Sequence, residues 1–593
     1  MISSVLERLW RLARTPNGAA FLSFIFPGLG QAAAGKPSRG AIVAIPGLSV
    51  VGALLLILLL NRRQIFGAAV GEQWLASLII ADLLALVYHA WAIIDSYQLA
   101  DLPDHTQPRR RRKAPKKPSA FAGVAALLLA TLVIHASIAS FGLTIQHALT
   151  CITSETGECM DFGATLAPGQ TIAMPTDDPG DVSLATDSPE PSASGETPDA
   201  TTSSDPNATF DPSSLPSFES PPDAKNWADD GQLNVLLAGI DSGGSGAGRA
   251  SGLRPDTMIV LHIDLATGRS AMIGIPRNTQ CVPLPQPIAA HYAKNTNGCP
   301  GYTYPNMLNW LANDAGWNHP TWFPFYQGQG YEYTRAMTAT QVAIETLTGL
   351  HIDGFAVINL EGMVKIIDDV GGITITVPKN LTAYDGPCGP KGTWAAQYRV
   401  CSLNPPHSGY PVAGPSVVAK MTADAANSDG HQKITASVNN GYDIGFVISA
   451  GTQHMSGDWA LAYARTRIYS TDYNRMLRQQ LVLKAMRQTL NPCSLLPQIP
   501  SLINDVGSAF WTNMPIRDDA PKWAALAQHI LGENVKSITL DPTTLGNSKS
   551  TFINATTWAK AKSIVAHSLD DVPTSTPSGG SDGGGNGGGF FTC

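Results

Sequence analysis

Four arginines, Arg465, Arg467, Arg475 and Arg478, fall within fourteen residues of one another. A single acid, Asp472, stands among them, and no lysine appears until Lys484. Such a cluster is either a solvated basic face tied up in surface ion pairs or a site for phosphate. The planar guanidinium fork matches phosphate oxygens two at a time, which an ammonium cannot do. The shortage of acids and lysines weighs toward phosphate. A complement lies earlier in the chain. Asp241 and Asp256 stand at the ends of strand-like runs, with Arg254 and Arg277 close by in sequence. Two carboxylates beside several guanidiniums suit a Mg2+-pyrophosphate group: hard oxygens hold the metal and the arginines neutralise the remaining charge. In phosphoryl transfer such charge stabilisation supplies much of the rate enhancement. The chain has no Walker A, GxSxG or HExxH motif, so the usual nucleotide, esterase and metalloprotease readings lack support.

These residues need elements to position them. Asn234–Ile240 is a short apolar run, consistent with a buried strand that delivers Asp241 at its carboxyl end. Residues 243–252 are a Gly/Ser-rich loop. Two apolar runs, 256–264 and 269–277, flank Ala266, Thr267 and Gly268 and predict a β-hairpin. A helical pattern over 334–348 is followed by a strand (355–360), a helix (361–370), the breakers Gly371 and Gly372, and a strand (373–378). Residues 457–464 predict a short helix. A second begins at Thr471 or Asp472, with Met476, Leu477, Leu481, Val482, Ala485 and Met486 as its buried stripe. Asp472, Arg475, Arg478 and Gln479 are spaced to share one side of that helix. Helices alternating with strands imply a layered α/β domain with a central mixed sheet flanked by helices.

In order, NVLLAGIDS, RPDTMIVLHID, IGIPRNT and LAYARTR…TDYNRMLRQQ resemble the motifs of the LytR-CpsA-Psr family. INLEGMVKIIDDVGGITITVP resembles that family's central helix-strand element. The resemblance covers about 231–565. It implies a phosphotransferase that takes a glycopolymer from a polyprenyl-pyrophosphate carrier and passes its phosphate to peptidoglycan, typically to a muramic-acid hydroxyl. The resemblance makes Asp241 and Asp256 the Mg2+-linked acids and Arg277, Arg465 and Arg467 the catalytic set. It gives Arg254, Arg475, Arg478 and Gln479 to the pyrophosphate, with a structural role for Arg478 as the other reading. Two departures stand out. Asn278 follows Arg277 where the family often has Asp. The family's short basic-Ile-Asn element also has no obvious match in HYAKNTNG, where Lys294 is the nearest substitute. Two further activities fit the same residues: hydrolysis of the lipid pyrophosphate, and lipid sensing without catalysis.

Charged residues are only 14% of the chain, against roughly 25% ordinarily, a deficit that points to membrane segments and low-complexity linker. Three apolar stretches, 40–60, 74–94 and 121–143, are long enough to span a bilayer. A shorter one, 21–30, is interrupted by Pro27 and Gly28 and predicts an interfacial or re-entrant piece. Arg8, Arg11, Arg14, Lys36 and Arg39 precede the first span, and residues 109–117 put seven cations before the third. Basic loops face the cytoplasm, so everything after about residue 144 is expected outside, in a multi-pass protein of the cell membrane. Asp82, within the second span, is either a relay contact between helices or a protonated, helix-packed acid, and the second reading is preferred. Cysteine usage fits this compartment. Cys151 with Cys159, Cys281 with Cys299, and Cys388 with Cys401 read as local disulfides, with Cys493 and Cys593 left over. The expected organisation is a membrane region (1–150), a Ser/Thr/Pro-rich tether (151–230), the α/β domain (231–570) and a Gly-rich tail (571–593). Residues 299–333 are dense in aromatics and serve either sugar stacking or membrane contact, or ordinary loop packing. Residues 380–450 carry no legible motif. A net charge of −7 and short basic loops give no basis for nucleic-acid binding.

Overall fold

The structure is a computed structural model. It describes residues 13–60, 72–101, 119–160, 212–218, 227, 229–240, 253–294, 296–328, 330–378, 381–383, 434–439, 443–448, 450–465, 472–489, 499–516, 535–547 and 553–573. Its packing separates a unit made of the described residues before 150, with Ile516, from a unit that holds the rest.

The first unit is helical. α1 (Pro16–Ile25) starts at Thr15, whose side chain accepts from the Gly18 amide at 3.1 Å, and Pro16 takes the first helical position, where its missing N–H costs nothing. The chain turns at Gly28, with φ +104°, and continues into α2 (Leu29–Ala33) and α3 (Pro37–Leu60). The interrupted segment expected at 21–30 is therefore two short helices joined by a Pro-Gly turn. A Cβ on Gly28 would sit 2.4 Å from the Gly40 carbonyl, and one on Gly40 would sit 2.6 Å from the Gly28 carbonyl. Only two glycines allow that crossing. α4 (Glu72–Asp101) and α5 (Ser119–Ile152) complete the unit. Among the described residues, Leu75–Asp101 and Ala122–Ile152 are long and apolar enough to cross a membrane. The other expected span falls on α3, a 24-residue helix with Pro46 inside it.

The second unit is the expected α/β domain. Its six-stranded sheet runs in the order β12-β6-β1-β2-β3-β13 and is mixed. β1 (Gln232–Ile240) lies antiparallel to β2 (Pro255–Asp264) and parallel to β6 (Gly354–Asn359). β1 lies inside the sheet and is buried on both faces over Leu233–Leu236, as its nearly continuous apolar run requires. β2 turns through Asp264, whose carboxylate accepts from the Ala266 and Thr267 amides, into β3 (Ser270–Gly274). This is the predicted hairpin, with Gly268 at φ +68°. The edges are closed by β12 (Phe510–Thr512), antiparallel to β6, and β13 (Val535–Thr539), parallel to β3. β4 (Val282–Pro283) and β5 (Thr303–Tyr304) form a separate two-stranded ribbon.

The helices follow the sequence pattern closely. α6 (Leu308–Asn313) precedes α7 (Glu332–Thr348), which stops at Gly349 in the left-handed conformation. α8 (Leu360–Asp369) is capped by Asn359, whose side chain accepts from the Gly362 amide at 2.5 Å. Gly371 and Gly372, both at positive φ, then turn the chain into β7 (Ile373–Val377). That strand pairs with β11 (Gly451–Met455) outside the main sheet. β8 (Leu381–Ala383), β9 (Ile434–Asn439) and β10 (Asp443–Ile448) form a three-stranded sheet within the unread 380–450 region. α9 (Gly457–Arg465), α10 (Asp472–Thr489), α11 (Ile499–Ala509) and α12 (Ala555–Ala566) complete the domain.

Three expectations are refined. On α10 the buried residues are Arg475, Met476, Arg478, Gln480, Val482 and Ala485, whereas Leu477 and Leu481 are exposed. The buried face of α10 holds polar groups that bond backbone carbonyls of β2, β3, β13 and α9, which apolar periodicity cannot register. The segment expected as a tether supplies Leu215, Phe218 and Trp227 to the packed domain; Trp227 is 1% exposed. The aromatics of 299–333 are mostly core. Tyr304, Trp310, Trp322 and Phe323 are buried, and Phe218 packs edge-on against both Phe323 and Phe325. Packing is thus the reading the structure favours for that segment. Disulfides join Cys151 to Cys159 and Cys281 to Cys299. Cys388, Cys401, Cys493 and Cys593 lie outside the described residues.

Candidate active site

The site forms where the first residues of β2, the loop after β3, the start of α6 and the first turn of α10 meet. Asp256 is its centre. One of its carboxylate oxygens, Oδ1, accepts from Arg277 Nη1 at 3.0 Å and from Asn309 Nδ2 at 3.0 Å. Arg475 Nη2 donates to the Asp256 backbone carbonyl at 3.0 Å and to Asp472 at 3.1 Å, which ties α10 to β2. Arg254 lies over the Trp310 ring, its guanidinium carbon 4.8 Å from the centroid. Arg277 and Arg475 are buried, at 8% and 6% exposure. Burial works against a charge on Asp256. The guanidiniums of Arg277, Arg475 and Arg254, with the Arg277 hydrogen bond, outweigh it and hold the carboxyl well below the usual carboxylate range.

Sequence alone missed Asn309. It is fully buried, and it holds both charged partners: its side chain bonds Asp256, and its backbone N–H donates to the Arg277 carbonyl at 3.2 Å. The neighbouring Leu308 amide donates to the Thr279 carbonyl, so the first turn of α6 clamps the loop that carries Arg277. Lys294, the substitute expected from the sequence, is exposed.

The remaining expected residues fall as follows. Arg465 is the last residue of α9 and is half-buried. Arg478 is 7% exposed; its Nε donates to the Tyr463 carbonyl at 2.9 Å and its guanidinium lies 5.9 Å from the Tyr463 ring, so it joins α10 to α9. Burial lowers its pKa to about 10. Gln479 lies on α10 beside Arg475 and Arg478, its Oε1 buried without a hydrogen-bond partner among the described residues. Asn278 is half-buried beside Arg277. Asp241 and Arg467 lie outside the described residues.

The donor set fits a hard divalent cation carried by phosphate. Asp256 is held ionised, and beside it the Asn309 Oδ1 is buried with no hydrogen-bond partner among the described residues. Mg2+ is usually bound by one or two carboxylates together with substrate phosphates. Among the described residues no cluster of three or more His, Cys, Asp or Glu forms a closed metal cage.

The model of the LytR_cpsA_psr family matches residues 192–568, well over half of the chain. The chain belongs to the LytR-CpsA-Psr family. Solved structures similar to it include protein gbs0355 from Streptococcus agalactiae, 18% identical over 59% of this chain and 91% of that one, with a TM-score of 0.35. TagV of B. subtilis is 18% identical over 58% of this chain and 98% of its own, with a TM-score of 0.33. A structure titled "TagT bound to LI-WTA" is 17% identical over 61% and 94%, with a TM-score of 0.31. No protein with a curated description matches the chain. The matched span begins ahead of β1, and Leu215, Phe218 and Trp227 show that residues there belong to the LytR-CpsA-Psr domain rather than to a free tether.

Proposed function

We propose that this chain is a membrane-anchored phosphotransferase that moves a glycopolymer from a polyprenyl-pyrophosphate carrier to peptidoglycan at the outer face of the cytoplasmic membrane. The observation that carries the reading is the convergence of Arg277, Arg475 and Arg254, from three separate stretches of chain, on Asp256. A solvated basic face would not bury Arg277 and Arg475 around one aspartate. Family membership supports glycopolymer transfer.

In this reading an acceptor hydroxyl attacks the phosphorus that bears the glycan. The new P–O bond forms as the bond to the lipid phosphate breaks, polyprenyl phosphate leaves with the electron pair, and the hydroxyl proton is released. Negative charge grows on the bridging and terminal oxygens, and Arg277, Arg465 and Arg467 are the fixed cations that stabilise it. Arg254, Arg475, Arg478 and Gln479 bind the pyrophosphate. Asp256 is a poor proton acceptor because its carboxyl is held so acidic, which argues against general base catalysis; in this reading it binds the cation together with Asp241. Bound Mg2+ would neutralise pyrophosphate charge beside Asp256. The apolar helices are the anchor, three spans in a multi-pass arrangement with the LytR-CpsA-Psr domain outside. The Cys151–Cys159 and Cys281–Cys299 disulfides are compatible with that oxidising side.

The test is incubation of the full-length protein with labelled lipid-linked glycan and Mg2+, with and without peptidoglycan. Label on peptidoglycan fragments supports transfer. Release of free glycan phosphate in both samples would replace transfer with hydrolysis. Binding with no covalent product would replace catalysis with sensing.

A further inference from the structure

The membrane unit holds a second polar site that phosphoryl transfer does not use. His135 Nδ1 lies 2.8 Å from Asp82 Oδ1, and His135 Nε2 lies 3.5 Å from His89 Nδ1. His89 Nε2 faces only the backbone carbonyls of Ser23 and Phe24, at 3.2 and 3.0 Å. The chain of contacts joins three helices: α4 supplies Asp82 and His89, seven residues apart on one face, α5 supplies His135, and α1 supplies the carbonyls. The Asp82 and His135 side chains are only 12% and 13% exposed. Ionisable groups within apolar helices are costly and mark proton or ion sites.

Hydrogen-bond polarity limits what this chain can hold. Carbonyls only accept, so His89 Nε2 carries its hydrogen and His89 Nδ1 presents a lone pair. Two links remain, Asp82–His135 and His135–His89, and each needs one hydrogen between its atoms. Two protons satisfy both. Either Asp82 donates to His135 and His135 donates to His89, or His135 is an imidazolium between a carboxylate and His89. Both arrangements have zero net charge. The buried Asp82 Oδ2 has no partner among the described residues, which favours the first, since a neutral acid tolerates a bare oxygen better than a carboxylate does. One proton fewer sets two lone pairs face to face across the His135–His89 gap. One more can sit on the bare Asp82 Oδ2, with His135 as an imidazolium, and leaves both links intact.

We infer that Asp82, His135 and His89 form a proton-binding site that holds two shared protons and ties α1, α4 and α5 together until one of them is lost. Other titratable groups on the packed elements do not complete it. α1 and α2 have none. On α3, Arg39 is bound to Asp95 of α4 at 2.5 Å. On α4, the Tyr88 hydroxyl donates to the Val43 carbonyl. On α5, His147 lies twelve residues farther along the helix.

The experiment uses the full chain in lipid nanodiscs, free of glycan donor, so its outcome does not depend on transferase activity. The thermal midpoint of helix loss, followed by circular dichroism across a pH series, should fall on the alkaline side as a shared proton is lost. In Asp82→Asn the amide donates permanently to His135 and cannot ionise, so the alkaline fall should vanish. Nitrogen-15 NMR of wild type should show the His89 hydrogen on Nε2 throughout, which keeps the inference testable if the variant fails to fold. Matching pH profiles for wild type and Asp82→Asn would overturn it, and so would an Nδ1–H tautomer at His89. Retention of one equivalent of Zn2+ by wild type but not by His135→Gln would overturn it too, by assigning the gap to a metal.

Discussion

Asp256 keeps its charge because three guanidiniums surround it, and that has consequences at the residue scale. Its pKa is depressed in the folded protein, so the stabilisation it gives is complete above the ordinary Asp range and is lost as pH falls through that range toward its folded value. Asp256→Asn should flatten the acid side of a melting-temperature-versus-pH curve; an unchanged acid limb would refute the assignment. Arg277→Ala removes one buried, aimed cation, an effect of about 3 kcal/mol for a well-placed donor. Transfer should fall about a hundredfold or more, since about 1.4 kcal/mol is tenfold in rate. Arg465→Ala should fall similarly, and Lys at either position should rescue only in part. Arg487, at the far end of α10, is the control, and its Ala variant should transfer at nearly the wild-type rate. Asn309→Ala leaves Asp256 one hydrogen bond short in a buried place, a loss of about 1–3 kcal/mol. It should lower both the thermal midpoint and transfer, and equal losses in Lys294→Ala would show that the exposed residue was the relevant one after all. Asp256 and Arg277 were legible because they sit in motifs at strand ends. Asn309 was not, because no local pattern marks a buried amide whose partner, Asp256, lies 53 residues away in the chain.

At the scale of elements, α9 is seated through one tight contact. A Cβ on Gly457 would lie 2.2 Å from the Val364 carbonyl oxygen and 2.7 Å from its Cα, all backbone that cannot step aside. The Gly457 amide also donates to Asp368 at 2.7 Å, so α8 seats the start of α9, and Arg465 is the other end of that helix. Gly457→Ala should therefore cost about 1–3 kcal/mol as overpacking and misplace Arg465 with it. Thermal melts and transfer assays should fall together; a lowered melting point with normal transfer would separate Arg465 from the chemistry. The hairpin, α7, β6, α8 and β7 all follow from turn residues and periodicity. The partnership of β7 with β11 rather than with the main sheet does not, since strand pairing over some eighty residues has no local signature. The stripe on α10 misled at Leu477 and Leu481 for the opposite reason: the helix buries arginines and Gln480 against backbone carbonyls and leaves leucines outside.

For the whole molecule, the proposed orientation makes a direct claim. A reporter fused after residue 160 should be active only outside the cell, and one inserted near residue 105 only inside. The reverse pattern would remove the wall-facing function, whatever the site can do. The α/β architecture was readable because alternating helices and strands leave few layered solutions. The core role of Leu215, Phe218 and Trp227 was not, because three large apolar side chains scattered through Ser, Thr and Pro look like a tether until the surface they cover is known.

The order of strands in the central sheet sets a timetable for synthesis. β3 ends at Gly274, yet its outer neighbour β13 begins only at Val535, and β6 waits for β12 at Phe510. The inner four strands can pair while both flanks are still bare. About 260 residues must follow β3 before the last flank is covered, on the order of ten seconds to a minute at about 5–20 residues per second. Throughout that interval the nascent domain presents open strand edges, the form in which β-proteins are most prone to pair with the wrong neighbour.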